Sequence, residues 1–184
     1  MGMILWIVLA LLLVGAAWLV GTFNSLVRGR NHVDEAWSDI EVQLKRRYDL
    51  IPNLVETVKG YARHEEGVFT KVTQARSTAM SAKTPAEHAQ AENMLSQTLK
   101  SLFAVAEAYP NLQAAGNFAQ LQSDLTDAEN KIESSRRFYN GNVRDYNTML
   151  QSFPTNLIAG TFGFGKRDFF DAPDSVNEAP KVAF

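Results

Sequence analysis

The hydrophobic pattern of the chain changes character after residue 23. Residues 3–23 read MILWIVLALLLVGAAWLVGTF and contain no charged side chain. A helix of this length rises about 30 Å, which matches the hydrocarbon core of a bilayer. Because no basic residue precedes the run, the pattern favours an uncleaved anchor over a signal peptide. The anchoring residues that we assign to the span are Leu5, Trp6, Leu12, Trp18 and Phe23.

Beyond the span, large apolar residues recur mostly at steps of three and four from Leu26 to Ala62. This spacing predicts one amphipathic helix, and nothing between Phe23 and Leu26 interrupts it, so the anchor is expected to continue into it. A second helix is predicted over residues 65–81. Thr84-Pro85-Ala86-Glu87 is typical of a helix start and predicts a third helix, which Pro110 should end.

The fourth predicted helix, over residues 118–153, has the clearest periodicity. Large apolar residues recur every seven positions, which is typical of coiled-coil-like packing in a bundle. The members of this seam are Phe118, Leu125, Ile132, Tyr139, Tyr146 and Phe153. The seam is interpreted as the core of a single chain, and the alternative is that part of it packs against a second copy.

Together these elements predict an all-α fold, in which an N-terminal transmembrane helix continues into an elongated antiparallel four-helix bundle. We divide the chain into the anchor (1–23), the bundle (24–153), a Gly/Phe-rich segment near the membrane (154–170) and a polar tail (171–184). Four antiparallel helices return the chain to the end at which the bundle starts, and therefore to the membrane.

The segment from Phe153 to Phe170 reads FPTNLIAGTFGFGKRDFF, which is too apolar for an ordinary solvated tail and too rich in glycine for a helix. We expect it to lie at the membrane surface or at a subunit contact. The residues expected to make this contact are Phe162, Phe164, Lys166, Arg167, Phe169 and Phe170. The alternative is that the phenylalanines cover the open end of the bundle core.

Two clusters of cations differ in their distance from the span. Arg28 and Arg30 follow it closely, so they can touch lipid headgroups and they favour an outside N-terminus with a cytoplasmic bundle, a periplasmic bundle being the alternative. Lys45, Arg46 and Arg47 lie about 35 Å along a continuous helix, too far to feel the membrane. They are expected to form ion pairs with Glu41, Asp49 or a facing helix, or to contact a partner.

Composition narrows the chemistry. The net charge of −2 gives no general attraction for nucleic acid. The absence of cysteine excludes disulfides, thiolate metal sites and thiol catalysis. His32, His64 and His88 stand apart, without the spacing of a zinc motif. We therefore predict no catalytic residue, no metal site and no cofactor.

Two long motifs resemble the signatures of the LemA family. One runs from Asn24 to Glu65 and includes RNHVDEAWSDIEVQLKRRYDLIPNLVETVKGYARHE from Arg30, and the other is FPTNLIAGTFGF at residues 153–164. The resemblance covers nearly the whole chain and implies a membrane-anchored helical-bundle protein of the bacterial inner membrane. It implies no catalytic residues, and it suggests a membrane-bound peptidase or another envelope protein as a partner class.

Two functional hypotheses follow. The first is a non-enzymatic scaffold or adapter that associates with itself, forming a homo-oligomer, or with a membrane protein in envelope organisation or stress. The second is an enzyme or ligand-binding sensor with a pocket inside the bundle, for which Ser135 and Asn142 are the polar seam residues to inspect. The first is favoured, because catalysis requires convergent titratable groups and the sequence shows none.

Overall fold

A computed structural model describes residues 2–170, which form helices and no strand. The helices are α1 (Gly2–Lys59), α2 (Glu66–Ser81), α3 (Pro85–Glu107), α4 (Pro110–Gln113), α5 (Gly116–Gln151) and α6 (Asn156–Ala159). The predicted all-α class with a long, apolar N-terminal helix is confirmed. The predicted polar tail, residues 171–184, lies outside the described residues.

The first helix continues without a break from the uncharged stretch into the amphipathic one, as predicted. It contains the single candidate membrane span among residues 2–170, and none of the most apolar 18-residue window is buried. Pro52 lies inside the helix and does not end it. The N-terminal part of α1 therefore has an exposed apolar surface, and the part that follows contributes buried core residues.

The start of α3 has the predicted cap. The Thr84 hydroxyl accepts a hydrogen bond from the Glu87 backbone N–H at 3.2 Å, and the Glu87 carboxylate accepts one from the Thr84 N–H at 3.2 Å. These bonds satisfy two donors that the first turn of a helix leaves open. The prediction for the other end was less accurate, because α3 ends at Glu107 and Pro110 begins the short helix α4.

The described residues form two compact units, which are considered separately. The first contains residues 2–37 and 138–167, and the second contains residues 38–137 and 168–170. In the first unit α1 and α5 run antiparallel, since Ser25 donates a hydrogen bond to the Met149 sulfur and Trp37 packs against Tyr139 at 5.4 Å between ring centroids.

Gly29 allows a close approach within the first unit. A Cβ atom at this position would lie 3.1 Å from Cδ2 of the buried Tyr146 ring, tighter than an ordinary carbon–carbon contact. Glycine at this point therefore lets α1 and α5 pack closely. Leu26 and Val33 lie on the same side of α1 and complete the core of the unit.

In the second unit, α2 and α3 pack against each other and residues 38–59 of α1 contribute to the core. The fully buried side chains of this unit include Ile40, Leu44, Ile51, Leu54, Leu95, Leu102 and Leu112. The seam of α5 is buried at Phe118, Leu125 and Ile132 in this unit and at Tyr139 and Tyr146 in the other. The interpretation of the seam as core is confirmed for these five residues and is wrong for Phe153, which lies beyond the end of α5 and is 79% exposed.

Candidate functional site

The side chains assigned to the anchor form an open apolar surface on α1. Leu5, Trp6 and Leu12 are each about two-thirds exposed, and Trp18 is 41% exposed. Phe23 differs, because its ring meets the edges of two phenylalanines from the Gly/Phe-rich segment. The centroid distances are 5.2 Å to Phe162 and 5.5 Å to Phe164.

The two arginines that follow the span are both exposed, but their surroundings differ. The Arg30 guanidinium lies over the Phe164 ring at 5.5 Å from its centroid, a cation–π arrangement. Arg28 has an exposed side chain and follows Phe23, the last residue of the apolar run, by five residues. The structure thus brings one of the predicted headgroup residues into contact with the Gly/Phe-rich segment.

Arg167 fixes the end of that segment. Asn147 Nδ2 donates a hydrogen bond to the Arg167 carbonyl at 2.8 Å, and the Arg167 N–H donates one to Asn147 Oδ1 at 2.9 Å. The Arg167 guanidinium also donates to the Asp34 carboxylate at 2.8 Å. Asn147 is 8% exposed and Arg167 is partly exposed, so both of these bonds are partly shielded from water.

The six residues predicted for a membrane or subunit contact divide into two groups. Phe164 and Phe170 are buried, and the Arg136 guanidinium lies over the Phe170 ring at 5.3 Å. Phe162 and Phe169 are 46% and 40% exposed, Lys166 is exposed, and Arg167 is partly exposed. Burial within the chain agrees with the core-covering alternative for the first pair.

The run of three cations on α1 also divides. Lys45 pairs with Asp49 on the same helix at 2.6 Å, and Arg46 pairs with Asp127 of α5 at 2.8 Å. Both expected ion-pair types, within the helix and with a facing helix, are therefore present. Arg47 is only 4% exposed, so the partner-contact hypothesis can apply to Lys45 and Arg46 alone.

Arg47 lies at the centre of a polar cluster in which Arg47 and Glu92 are buried and Glu129 is 51% exposed. Its guanidinium contacts Glu92 of α3 at 2.7 Å, Glu129 of α5 at 2.9 Å and the Ser96 hydroxyl at 2.8 Å. The Tyr48 hydroxyl donates to the other Glu92 oxygen at 2.5 Å. Each of these polar side chains thus forms a hydrogen bond or an ion pair with another residue of the cluster.

Burial dominates the electrostatics of the cluster. It raises the pKa of Glu92 above the ordinary 4.5, although the Arg47 charge and the Tyr48 hydrogen bond act in the opposite direction. Burial, reinforced by the Glu92 charge, also raises the pKa of the Tyr48 phenol. The hydrogen bonds and ion pairs of the cluster hold these groups in place against one another.

A cavity of about 250 Å³ adjoins this cluster. Its lining is Arg47, Ser96, Leu99, Lys100, Phe103, Leu125, Thr126, Glu129 and Asn130. Ser135 and Asn142, the polar seam residues considered for a pocket, do not line it and are partly exposed. The Asn142 side chain donates to the Phe138 carbonyl one turn earlier, which is an ordinary helix-surface bond.

Histidine and carboxylate side chains do not converge on a metal site within residues 2–170. His32 lies 3.7 Å from Glu35 on the exposed surface of α1. His88 is partly buried at the start of α3, and burial lowers its pKa below the usual 6.5. His64 is exposed between α1 and α2, so the three histidines lie at separate places in the fold.

Sequence reasoning missed Glu92, Asn147 and Asp34 as structural partners. Glu92 had a detectable signal, because it stands three residues before Leu95 on the apolar stripe that continues through Leu99 and Leu102. A charged residue on such a stripe indicates a buried partner. Asn147 and Asp34 had no such signal, because both face residues far away in the sequence.

Comparison with known proteins places these features in a family context. The family model that matches the chain is that of the LemA family, over residues 36–184. Protein LemA of Metamycoplasma hominis is 28% identical over 144 residues, which cover 76% of this chain and 64% of the relative.

Two magnetosome proteins are also similar. Magnetosome protein MamQ of Magnetospirillum gryphiswaldense is 24% identical over 178 residues, covering 83% of this chain and 65% of the relative. Magnetosome protein MamQ 2 of Paramagnetospirillum magneticum is 24% identical over 180 residues, covering 84% and 66%. The chain thus spans slightly less than two-thirds of the length of these relatives, and none of their names denotes an enzyme.

Proposed function

The chain belongs to the LemA family, and we propose that it is a non-enzymatic scaffold or adapter, anchored in the bacterial inner membrane by α1. It associates with itself and with a membrane protein partner in envelope organisation or stress. The class of partner that the family resemblance suggests is a membrane-bound peptidase or another envelope protein.

One observation carries the anchoring part of the proposal. Along α1 the apolar side chains change from open to buried, Leu12 being 66% exposed and Leu26 fully buried. An apolar surface as long as residues 3–23 is far larger than soluble monomers leave in water. Lipid is the environment that covers such a surface on all sides of a single helix.

The fate of the interior polar groups supports the non-enzymatic part. Arg47, Glu92 and Tyr48 are bound to one another, so they contribute rigidity to the second unit and their polar groups are already engaged within the chain. The adjoining cavity of about 250 Å³ is smaller than the roughly 300–1,000 Å³ of most ligand pockets. A ligand sensor or enzyme, which is the alternative, would therefore have little room in the cavity beside this cluster.

The surface supports a role in assembly. Apolar side chains that the second unit leaves open include Val42, Tyr61, Met80 and Met94, at 63%, 47%, 53% and 49% exposure. Exposed methionines and aromatic residues are adaptable contacts and are enriched at protein interfaces. Lys45 and Arg46 add exposed charge beside Val42 on α1 and can select a partner of opposite charge.

The proposed orientation places the bundle in the cytoplasm. Arg28 and Arg30 lie within seven residues of Phe23, close enough to count in the positive-inside rule. A single cysteine at the exposed Lys45 tests this, because the chain contains no other cysteine. An impermeant maleimide should label it in lysed cells and not in spheroplasts, and labelling of both would make the bundle periplasmic.

Crosslinking in membranes tests the assembly. Single cysteines at Val42 and Met94 should form crosslinked species of discrete size, and a cysteine at the buried Leu95 serves as the matched control. Discrete products from the surface positions and none from Leu95 would support the proposal. Uncrosslinked chain at every surface position, under conditions that crosslink a known oligomer, would contradict self-association.

A further inference from the structure

We propose that residues 152–163, here called the wedge, insert into the lipid leaflet beside the anchor. Their exposed apolar side chains would contact acyl chains, and the cations at their rim would contact anionic phospholipid headgroups. The inference rests on the proposed membrane anchoring of α1 and is independent of self-association and of any partner.

The composition of the wedge suits this environment. Residues 146–165 contain no charged side chain, and the first charges beyond them are Lys166 and Arg167. The uncharged part of α1 likewise continues until Arg28. Two uncharged stretches that are far apart in the sequence are therefore each followed by cations, as expected for two segments that enter the same lipid layer.

Contacts within the first unit put the wedge at the depth of the span. Phe162 meets Phe23, the last residue of the apolar run. Thr155 lines a cleft together with Trp18, Thr22 and other residues of α1. Trp18 lies about 7–8 Å before Phe23 along the helix axis. The wedge thus lies beside the last turns of the span, the level at which amphipathic rings favour the membrane interface.

The side chains of the wedge are divided between inside and outside. Ala159 is buried, as is Phe164 immediately after the wedge, whereas Phe153, Leu157 and Phe162 are 79%, 65% and 46% exposed. These three large apolar side chains are therefore open at a depth where α1 itself requires lipid. In a bilayer the leaflet covers them without any further partner.

Charge favours lipid over a second copy as the occupant. Exposed Arg28 and Lys166 lie at the rim, and Arg30 lies over the Phe164 ring. Anionic headgroups attract such cations, whereas a symmetric contact between two copies would bring like charges together. The geometry therefore points to an anionic leaflet.

The wedge is already shaped for insertion. The Phe164 N–H donates to the Ala159 carbonyl at 2.9 Å, and Gly163 has a φ of +71°, a turn that a side chain would strain. Asn147 and Asp34 hold Arg167 on the far side of this turn. Binding lipid would therefore require little reordering, which lowers its entropic cost.

Depth-dependent quenching tests the proposal on the full chain in vesicles. Single cysteines at Phe153, Leu157 and Phe162 carry an environment-sensitive fluorophore, in bilayers of phosphatidylcholine and phosphatidylglycerol with or without brominated acyl chains. Phe138 is the matched control, because it is an equally apolar residue of the same unit and is 60% exposed on α5. Leu12 reports on the anchor itself.

The proposal predicts that brominated lipid quenches the three wedge positions and Leu12 but leaves Phe138 bright. Quenching at Leu12 without quenching at the wedge would overturn the wedge and leave the anchor standing. Absence of quenching at Leu12 as well as at the wedge would overturn both the wedge proposal and the membrane anchoring of α1. The wedge probes could instead show a blue shift that brominated lipid does not quench and that disappears when the protein is diluted into more lipid. That result would assign the surface to a second copy and would also overturn the proposal.

The proposed contact between the cations and anionic headgroups is tested by a separate measurement. The proposal predicts a larger blue shift of the Phe162 probe in vesicles that contain phosphatidylglycerol than in pure phosphatidylcholine. The exposed Lys166 should account for part of this difference, so Lys166→Glu should reduce it, whereas Lys131→Glu at an exposed position of the other unit should not. Equal shifts in both lipids for the unmodified chain would overturn the role of the cations.

Discussion

Asn147 on α5 holds the backbone of Arg167 with two hydrogen bonds, although twenty residues separate them. The amide side chain donates to the carbonyl and accepts from the N–H, so it replaces the pairing that a strand or helix would provide. The chain between these residues contains α6 and the whole wedge. This pair therefore holds together the two ends of the stretch that contains the wedge.

Removing the Asn147 side chain should loosen this connection. Asn147→Ala removes this partner from the Arg167 N–H and carbonyl. Because both bonds are part-buried, the expected cost is about 1 kcal/mol, the lower end of the range for unsatisfied buried groups. The free energy of unfolding of the full chain in mild detergent measures the loss. Faster proteolysis within residues 152–167 should accompany it, because the far end of the wedge is released.

Asn142→Ala is the matched control, since Asn142 is on the same helix and its side chain donates to a carbonyl one turn away. Both variants gain the same helix propensity, so their difference isolates the bonds to Arg167. Asn142→Ala should change stability by no more than about 0.5 kcal/mol. Equal effects of the two substitutions would mean that the Arg167 bonds contribute nothing.

The buried pair of Arg47 and Glu92 should behave non-additively. Arg47→Met leaves the buried Glu92 without its counter-charge and should cost about 3–5 kcal/mol. The double variant Arg47→Met, Glu92→Met removes both charges and should recover most of that loss. A double-mutant cycle of unfolding free energies measures the coupling, and additive losses would contradict the pairing.

Lys45→Met is the control for this cycle. Its ion pair with Asp49 is on the same helix and both side chains are more than half exposed. Exposed pairs of this kind contribute little to stability, so the substitution should change it by less than about 0.5 kcal/mol. Arg47→Met and Lys45→Met each remove one cation from α1, so the difference between their losses of stability reflects the burial of Arg47 and not the loss of charge alone.

The raised pKa of Glu92 predicts the direction of a pH effect. The folded state holds a proton on Glu92 above pH 4.5, the ordinary pKa that the group has when unfolded. This group's stabilising contribution is therefore complete below pH 4.5 and is lost as the pH rises through its folded-state pKa. Relative to Glu92→Gln, the unmodified chain should lose stability over that range.

Unfolding of the two proteins at a series of pH values between about 4 and 8 tests this, because their difference cancels the other titrating groups. A difference that is flat at the acid end and then falls would agree with burial as the dominant cause. A difference that grows in favour of the unmodified chain as the pH rises would show that the Arg47 charge outweighs burial.

The α5 seam should contribute to stability as a core does. Ile132 is 4% exposed, so Ile132→Ala should cost about 2–5 kcal/mol. Val42→Ala also truncates a β-branched residue of a helix, but at 63% exposure, and should stay within about 0.5 kcal/mol. Chemical denaturation measures both, and a loss below about 1 kcal/mol at Ile132 would contradict its place in the core.

The features that could be predicted from the sequence depend on local or periodic signals. Thr84 and Glu87 are three residues apart and cap α3 as expected, because the bonds involve only the first turn. Leu125 and Ile132 are buried as expected, because a spacing of seven keeps them on one side of α5. The uncharged start of α1 could also be predicted as a candidate membrane span, since its length and lack of charge are sufficient for that prediction.

Other features depend on which helix faces which. Lys45, Arg46 and Arg47 are adjacent cations, yet one is exposed, one is paired at the edge and one is buried. Successive helical residues differ by about 100° in direction, so the fate of each depends on the neighbouring helices. Phe162 is 46% exposed and Phe164 is buried, although both contact Phe23, and this difference depends on the packing around each ring, which the sequence pattern does not supply.

The central claim, a membrane-anchored protein that assembles with itself, is tested most directly by the native mass of the full chain in lipid discs. The account predicts one discrete multiple of the chain mass that persists as the protein is diluted, with bound phospholipid. A chain that has the mass of a monomer at every concentration, in discs large enough for several copies, would contradict it.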